Sequence, residues 1–325
     1  MTASLTDVAT LAGVSLATAS RAFKEPGRLA SETLQRVMAA ASELGYDVPV
    51  SNGSRTFGVV VPDTSNAVFA ALIKSIQNQA WYGRHRMMLA DTDEDTGREQ
   101  EILARMAREV DGIVLCSPRL SPELIRQAAG SSPLVIINGE AEDTPRILMD
   151  ADEGLRQAVE HLHALGHRKV AYVPGPVSSW ANLRRSDLIS RFCAERGIEL
   201  VAVGNQSATV LGGLAAAASV VSSGATAVVA YNDLVALGVQ SGARALGKHC
   251  PEDLSVIGID DLDVAAAAEP GLTSVRVDIA RSGSLGLEML LEQIIGKPQT
   301  NETIHLRSQL VVRHSTSLAP VAAKV

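Results

Sequence analysis

The sequence predicts an α/β protein in which a small helical domain precedes two lobes built on parallel sheets. Three observations lead to this prediction. The first 46 residues contain three short amphipathic helical patterns that could pack together. From Phe57 onward, short apolar runs alternate with helical stretches, as in parallel sheets covered by helices on both faces. With 325 residues, the chain is also too long for one hydrophobic core.

The stretch Thr6–Phe23 predicts a helix, a tight turn and a second helix. Thr6 can cap the first helix, whose apolar face is formed by Val8, Leu11 and Ala12. Gly13 stands where the chain must take a left-handed turn, and Ser15 can cap the second helix. A helix pair with such a turn is the motif that places its second helix in the major groove of DNA. Taken alone, the stretch is also compatible with an ordinary helical hairpin.

A third amphipathic helix is predicted from about Ser31 to Gly45, where the glycine ends it. Its apolar residues are Leu34, Val37, Ala41 and Leu44. Three short helices of this kind form a compact headpiece, which we place at residues 1–46. Residues 47–57 are rich in Pro, Gly and small polar residues and predict a linker.

Eight apolar runs predict the strands of the larger domain, at 58–61, 87–90, 112–116, 134–137, 169–173, 200–203, 227–230 and 256–259. Eight strand and helix units exceed one compact sheet, so we expect two α/β lobes. The boundary is expected near Asp150, because the fourth unit ends there and a new helix begins at Asp152.

The run from Leu5 to Tyr46 resembles the N-terminal DNA-binding domain of the lactose-repressor family of bacterial transcription regulators. Four further motifs extend the resemblance over the whole chain: Val60-Val61-Pro62-Asp63 with Asn66 and Phe69, Tyr231 to Gly238, Ser255 to Asp261, and Leu310 to Thr316. The resemblance implies a periplasmic-binding-protein-like fold for residues 58–325, in which the chain crosses between the lobes more than once. Lobe 1 is then expected at about 58–149 and 278–306, and lobe 2 at about 150–277 and 307–318.

The linker departs from the family pattern. Relatives carry a longer segment with an Ala-Arg pair and a leucine, which forms a short hinge helix on DNA and inserts the leucine into the minor groove. Here the segment is shorter, contains no leucine and places Asn52-Gly53 where the helix would run. The sequence therefore argues against a hinge helix.

Charge and composition narrow the class of protein. The formal net charge of −7 argues against a nonspecific nucleic-acid binder, which needs a basic surface. Up to residue 55, however, Arg21, Lys24, Arg28, Arg36 and Arg55 are balanced by Asp7, Glu25, Glu32, Glu43 and Asp47. The headpiece is therefore less acidic than the rest of the chain.

The cysteines, the apolar runs and the histidines indicate the cellular compartment and whether a metal site is expected. Cys116, Cys193 and Cys250 are far apart and lack Cys-x-x-Cys spacing, which predicts neither a disulfide framework nor a zinc site. There is no signal-like segment and no apolar run of about 18 residues, so we expect a cytoplasmic protein without a membrane span. His161, His163 and His167 lack metal-site spacing and are expected on a helix surface and at a helix end.

The second helix supplies the candidate DNA-reading residues. Leu16, Ala17 and Arg21 would face the base edges. The guanidinium of Arg21 matches O6 and N7 of guanine, a contact worth roughly 1 to 3 kcal/mol, whereas Leu16 and Ala17 offer apolar contact to a thymine methyl. Candidate phosphate contacts are Ser15, Thr18, Ser20, Lys24, Arg28 and Thr33. The alternatives are that Ser15 only caps its helix, that Leu16 packs inside the headpiece and that Arg21 is a solvated surface charge.

Ligands of two-lobed folds bind in the cleft at the C-terminal ends of the strands. Six candidates lie there: Phe69, Asp91, Trp180, Arg184, Asn232 and Asp260. The family resemblance implies that Arg184, Asn232 and Asp260 contact the effector. Carboxylates, an arginine fork and an aromatic ring suit a sugar or sugar derivative. Packing between the lobes is the alternative role for Trp180, and a purine is the alternative ligand.

Enzymes fit the sequence less well. Neither Gly-x-Gly-x-x-Gly after a strand nor a Walker-type loop is present, and we expect no catalytic residue, metal or cofactor. A freestanding sugar-binding protein would share the two lobes but would need export and no headpiece. We therefore predict a ligand-responsive transcription regulator, most simply a repressor. It is expected to be a homodimer, because two headpieces related by a two-fold axis read a palindromic duplex.

Overall fold

The computed structural model describes residues 3–24, 29–44, 46, 54–140, 143–296 and 303–320. Its headpiece consists of three helices: α1 (Leu5–Leu11), α2 (Leu16–Lys24) and α3 (Ser31–Glu43). The helices pack around a small core of Val8, Ala9, Ala12, Ala19, Ala22, Val37, Ala40 and Ala41. Most of these side chains are alanines, so the three helices approach one another closely.

Helix α1 begins earlier than the sequence analysis predicted. Ser4 caps it: its Oγ accepts a hydrogen bond from the Asp7 backbone N–H at 3.3 Å, and the Asp7 carboxylate accepts one from the Ser4 N–H at 2.8 Å. This reciprocal capping box satisfies two backbone donors, so the prediction of Thr6 as the cap was wrong. Leu11 was also misplaced, since it is 47% exposed.

The turn between α1 and α2 follows the prediction. Gly13 takes a left-handed conformation with φ 64°, and the Ser15 hydroxyl accepts a hydrogen bond from the Thr18 N–H at 3.1 Å. Of the expected linker, residues 47–53 lie outside the described part of the chain, so the argument against a hinge helix stays a prediction. The described chain resumes at Ser54.

Twelve strands follow in the part of the chain that the structure describes. They are β1 (Thr56–Val61), β2 (Arg86–Asp91), β3 (Gly112–Cys116), β4 (Leu134–Ile137), β5 (Arg146–Met149), β6 (Lys169–Val173), β7 (Glu199–Ala202), β8 (Ala227–Ala230), β9 (Ser255–Asp260), β10 (Thr273–Arg276), β11 (Thr303–Leu306) and β12 (Gln309–Val311).

The helices of this region are α4 (Ala67–Tyr82), α5 (Thr96–Met106), α6 (Pro122–Ala129), α7 (Asp152–Ala164), α8 (Trp180–Glu195), α9 (Val210–Ser222), α10 (Asp233–Ala245), α11 (Asp263–Ala267) and α12 (Ile279–Ile294). None of the described helices is long and apolar enough to cross a bilayer.

The strands form two six-stranded sheets. Lobe 1 has the order β11-β5-β4-β3-β1-β2, with all pairs parallel, and lobe 2 has the order β12-β10-β9-β8-β6-β7, in which only β12 pairs antiparallel. After β10 the chain returns to lobe 1 as α12 and β11, and it then enters lobe 2 again as β12.

All eight predicted strands are present, four of them with the predicted bounds. Of the four further strands, β12 overlaps the Leu310 to Thr316 motif that resembles the family's last strand. The other three, β5, β10 and β11, were not predicted; they have four residues each and mix apolar with polar side chains. Hydrogen bonds to neighbouring strands hold these short segments in the sheets, and the local sequence pattern does not reveal such pairing.

The two lobes touch through apolar side chains. Leu262 and Val277, which follow strands of lobe 2, are buried in the same cluster as Phe69 of lobe 1. Leu234 of α10 packs against this cluster as well. The C-terminal ends of both sheets therefore face each other, and the cleft lies between them.

Candidate functional site

Helix α2 exposes one face and buries the other. Leu16, Ala17 and Arg21 are exposed, while Ala19 and Ala22 belong to the headpiece core. Leu16 is 51% exposed, which weakens the alternative that it packs inside the headpiece. This face can enter a groove without disturbing the core.

The candidate phosphate contacts have several local roles. Ser15 caps α2 and is exposed, so capping and phosphate contact are compatible. Thr18, Ser20 and Thr33 are half-buried. The side chain of Lys24 and all of Arg28 lie outside the described part of the structure, so their assignment stays a prediction.

An open cleft of about 290 Å³, solvent included, lies between the lobes. It is lined by Asn138, Leu148, Met149, Asp150, Ala151, Trp180, Ala181, Arg184 and Arg185. Two of the six predicted ligand residues, Trp180 and Arg184, are in this lining. Both stand at the start of α8, where Ser179 caps the helix by accepting from the Asn182 N–H at 3.3 Å.

Arg184 is paired at the rim of the cleft. Its Nη2 donates to both carboxylate oxygens of Asp152, at 3.1 and 3.2 Å. Burial and the neighbouring Asp150 raise the pKa of Asp152. Asp150 in turn contacts Nδ1 of His305 at 3.0 Å. The rim therefore combines an arginine with two carboxyl groups and a histidine from β11.

Arg185, which the sequence analysis missed, lies deeper than its neighbour Arg184. Its Nη2 donates to Asp260 Oδ1 at 3.1 Å, its Nη1 donates to the Tyr231 carbonyl at 2.6 Å, and the guanidinium stacks 4.9 Å from the Tyr231 ring centroid. Burial raises the pKa of Asp260 to about 6, although the arginine opposes this shift. The tandem Arg-Arg sequence was the available signal, but it did not reveal which of the two is buried.

Asp260 is predicted correctly as a strand-end residue, but it reaches the cleft only through Arg185. Its backbone φ is 109°, in the region that side-chain-bearing residues rarely adopt. Ser117 and Asn138, which follow β3 and β4, also take positive φ values. Such conformations concentrate at functional sites, and Asn138 is the one of these three residues that lines the cleft.

Asn232 has a local task in the structure. Its Oδ1 accepts from the Val235 N–H at 2.9 Å, which caps α10, and its Nδ2 donates to the Ala208 carbonyl at 3.2 Å. The neighbouring Asp233 accepts from the Ser274 hydroxyl and from the Leu262 N–H. Burial and the nearby Asp260 raise the pKa of Asp233 to about 8. These two residues fix the strand end beside the cleft.

Asp91 and Phe69 lie in lobe 1 outside the cleft lining. Asp91 accepts hydrogen bonds from the Thr64 backbone and hydroxyl and from the Asp93 N–H, and these outweigh burial and lower its pKa. Phe69 is buried in the lobe 1 core and offers little ring surface to a ligand.

The lobe 1 wall contains a further ion pair that the sequence analysis missed. Buried Arg119 donates from Nε and Nη2 to the two carboxylate oxygens of Glu94, and from Nη1 to the Ser117 carbonyl at 2.7 Å. Arg119 is close enough to Tyr231 of lobe 2 for the two groups to interact electrostatically. The pair thus stands on the side of lobe 1 that faces lobe 2.

The histidines lie where they were predicted, His161 and His163 on α7 and His167 just after its end. His167 is buried there, and its ring nitrogens contact the Thr226 hydroxyl at 2.7 Å and the Ser317 carbonyl at 3.1 Å. His161 contacts the Thr316 hydroxyl at 3.0 Å. Both hold the C-terminal segment on lobe 2. In the part of the chain that the structure describes, no group of three or more His, Cys, Asp or Glu side chains could hold a metal ion.

Two family models match the chain. One, for bacterial regulatory proteins of the lacI family, matches residues 4–48, and another, for a periplasmic binding protein-like domain, matches residues 159–316. The HTH-type transcriptional regulator MalR of Streptomyces coelicolor is 32% identical over 98% of this chain and 98% of its own. The HTH-type transcriptional regulator DegA of Bacillus subtilis is 30% identical over 98% and 99%.

Solved structures show the same fold. The transcriptional regulator CelR in complex with cellobiose aligns with a TM-score of 0.73 and 27% identity, over 96% of this chain and 99% of its own. The lac repressor dimer bound to operator and the anti-inducer ONPF aligns with a TM-score of 0.74 and 24% identity, over 98% and 100%. The predicted fold class, a helix-turn-helix headpiece before a two-lobed periplasmic-binding-protein-like domain, is confirmed.

Proposed function

We propose a function on the basis that the chain belongs to the lacI family of bacterial regulatory proteins. In this proposal it is a sequence-specific repressor, and a small ligand in the interlobe cleft sets its affinity for DNA. The observation that carries the proposal is the exposed face of α2. Leu16, Ala17 and Arg21 are presented outward, and a core of small side chains holds the helix from behind. An arginine on such a face can donate two hydrogen bonds to guanine.

The effector is a neutral sugar or sugar derivative in this proposal. The charged side chains that line the cleft each have a partner of opposite charge or a histidine: Arg184 with Asp152, Arg185 with Asp260, and Asp150 with His305. A phosphate or carboxylate ligand would have to displace one of these partners. A polyhydroxylated neutral ligand can instead share the oxygens and N–H groups that the pairs leave open, and Trp180 supplies a ring for stacking. The cellobiose bound by CelR is a ligand of this kind.

The protein acts as a homodimer on a palindromic duplex. One headpiece reads only a few base pairs, whereas two related by a two-fold axis read both half-sites. Closure of the lobes around the effector would change the spacing of the headpieces. Couplings of this type are about 1 to 3 kcal/mol, or roughly 5- to 150-fold in DNA affinity.

The proposal is tested by measuring the anisotropy of a labelled duplex carrying the preferred site while neutral sugars, sugar phosphates and purines are added. We expect a neutral sugar to change the affinity by at least about 5-fold. The Arg184→Ala variant should bind DNA as the wild type does and lose the response to that sugar. A response to a purine or a sugar phosphate alone would replace the proposed effector class, and a response that survives in Arg184→Ala would remove the cleft assignment.

A further inference from the structure

The edge of lobe 1 where the linker arrives is built from two strand starts. The Ser54 hydroxyl donates to the Arg84 carbonyl at 3.0 Å, and the Arg86 N–H donates to the Arg55 carbonyl at 2.7 Å. Thr56 and Arg86 then begin the pairing of β1 with β2. The turn before β3 joins the same edge, because the Asp111 N–H donates to the Thr56 carbonyl at 2.9 Å.

This edge carries more positive than negative charge. Its arginines, here called the basic edge, are Arg55, Arg84, Arg86 and Arg108, all at least partly exposed. The acidic groups beside them are Glu109 and Asp111, and Asp111 forms a long contact of 3.9 Å with Arg55. Burial and the charge of Arg55 lower the pKa of His85, which is therefore neutral at pH 7. In a chain with a net charge of −7, the local excess is positive.

The basic edge is tethered close to the DNA-reading domain. The described headpiece ends at Tyr46 and the lobe begins at Ser54, eight residues further along the chain. Because an extended chain spans at most about 3.6 Å per residue, the two are at most roughly 29 Å apart. When the headpiece is docked, the basic edge is therefore confined near the same duplex, at a high effective concentration. The headpiece itself is not strongly basic, whereas phosphate neutralisation normally supplies a large share of DNA affinity.

We propose that the basic edge of lobe 1 contacts the phosphate backbone of the duplex that the headpiece reads. The inference rests on the proposed DNA-binding function and adds a second, sequence-independent contact surface to it. Arg84 and Arg86 are its central residues, because both are exposed where β2 begins. Such contacts position a protein on DNA without reading bases.

The test is the salt dependence of DNA binding by the full-length double variant Arg84→Gln/Arg86→Gln. Each lost phosphate contact makes the plot of log affinity against log salt concentration shallower by about 0.9, so we expect a change of about 1.8 per bound protomer. Affinity should fall at least about 10-fold near 0.1 M salt on every sequence alike. The matched control, Arg244→Gln/Lys248→Gln, removes the same charge at the end of α10 in lobe 2 and should leave the slope unchanged.

Fluorescence quenching of Trp81 provides a second test, which does not require the double variant to fold. Trp81 is 78% exposed at the end of α4, next to the basic edge, and the chain has one other tryptophan, Trp180. The emission of Trp81 is obtained as the difference between the wild type and Trp81→Phe, and the duplex should protect it from acrylamide quenching. An unchanged salt slope together with unprotected Trp81 in a protein that still selects its site would overturn this inference alone. Failure of the wild type to bind any preferred site would instead overturn the proposed function.

Discussion

Arg185 donates to Asp260 at 3.1 Å beside the interlobe cleft, and their side chains are only 7% and 4% exposed. The arginine comes from α8 and the aspartate from the end of β9, so the pair joins two elements of lobe 2 at the wall of the proposed ligand site. Arg184, the next residue back along the chain, instead pairs with Asp152 at the exposed rim. Two adjacent arginines therefore have different tasks.

The buried pair predicts a large cost for Asp260→Asn. This change leaves the guanidinium of Arg185 buried without a countercharge, and breaking such pairs lowers the free energy of unfolding by about 3 to 5 kcal/mol. The matched control is Asp152→Asn at the exposed pair, which should cost at most about 1 kcal/mol. Urea unfolding of both variants measures the difference. Equal losses of unfolding free energy in the two variants would show that the buried pair contributes no more to stability than the exposed one.

A pH-dependent stability difference is expected from Asp233. Its pKa is about 8 in the folded protein and near its ordinary value of 3.8 when unfolded, so the folded state holds the proton more tightly. The resulting stability is complete below about pH 4 and is lost as the pH rises to 8. Asp233→Asn mimics the protonated group: its amide oxygen can accept from the Leu262 N–H and its NH₂ can donate to Ser274.

Denaturant unfolding at pH 5, 7 and 9 tests this. Relative to Asp233→Asn, the wild type should lose stability at each step upward in pH, and the variant should be the more stable protein at pH 9. Asp187→Asn, a change at an exposed carboxylate of α8, is the control and should follow the wild-type profile. Parallel profiles for the wild type and Asp233→Asn would contradict the assignment.

The close packing of α9 on α10 predicts strong destabilisation by Gly213→Ala. An added Cβ would lie 2.1 Å from the Val235 carbonyl oxygen and 2.8 Å from Gly238 Cα, and backbone atoms cannot move aside cheaply. We expect a loss near the upper end of the roughly 1 to 3 kcal/mol that overpacking costs in the free energy of unfolding. Gly204→Ala has open space around it and should change stability by less than about 1 kcal/mol. Similar thermal midpoints for the two variants would show that the helices separate easily.

Helix α1 is capped by Ser4 in the structure, whereas the sequence predicted Thr6 as the cap. Ser4→Ala should destabilise the headpiece by about 1 kcal/mol, because the Asp7 N–H loses its acceptor and the capping box is broken. Thr6→Ala should have a smaller effect, since Thr6 is exposed inside α1. Thermal unfolding of the headpiece followed by circular dichroism measures both. A larger loss for Thr6→Ala would restore Thr6 as the cap.

Much of the fold was predictable because its signals are local. Glycine at the turn, the exposed and buried faces of α2 and the long apolar strands all follow from spacing along the chain. The short strands β5, β10 and β11 were not predictable in this way, because each mixes polar with apolar residues and lacks a continuous apolar run.

The cleft was less predictable. Trp180 and Arg184 line it as expected, but nothing in the local pattern shows that Arg185 turns inward to Asp260 or that Asn232 is engaged as a helix cap. The Arg119–Glu94 pair joins two loops, 25 residues apart in sequence, that only the sheet order brings together.

Sequence-specific DNA reading by α2 is measured by selecting random duplex DNA with the purified protein at near-physiological salt concentration. Arg21→Ala and Lys24→Ala are run in parallel. The wild type should enrich a two-fold symmetric site. Arg21→Ala should lose that preference, because it removes a base contact worth roughly 1 to 3 kcal/mol, whereas Lys24→Ala should weaken binding to all sequences alike. The proposed function would be contradicted if a folded wild-type dimer enriched no site. It would also be contradicted if Arg21→Ala lost specific and nonspecific affinity equally.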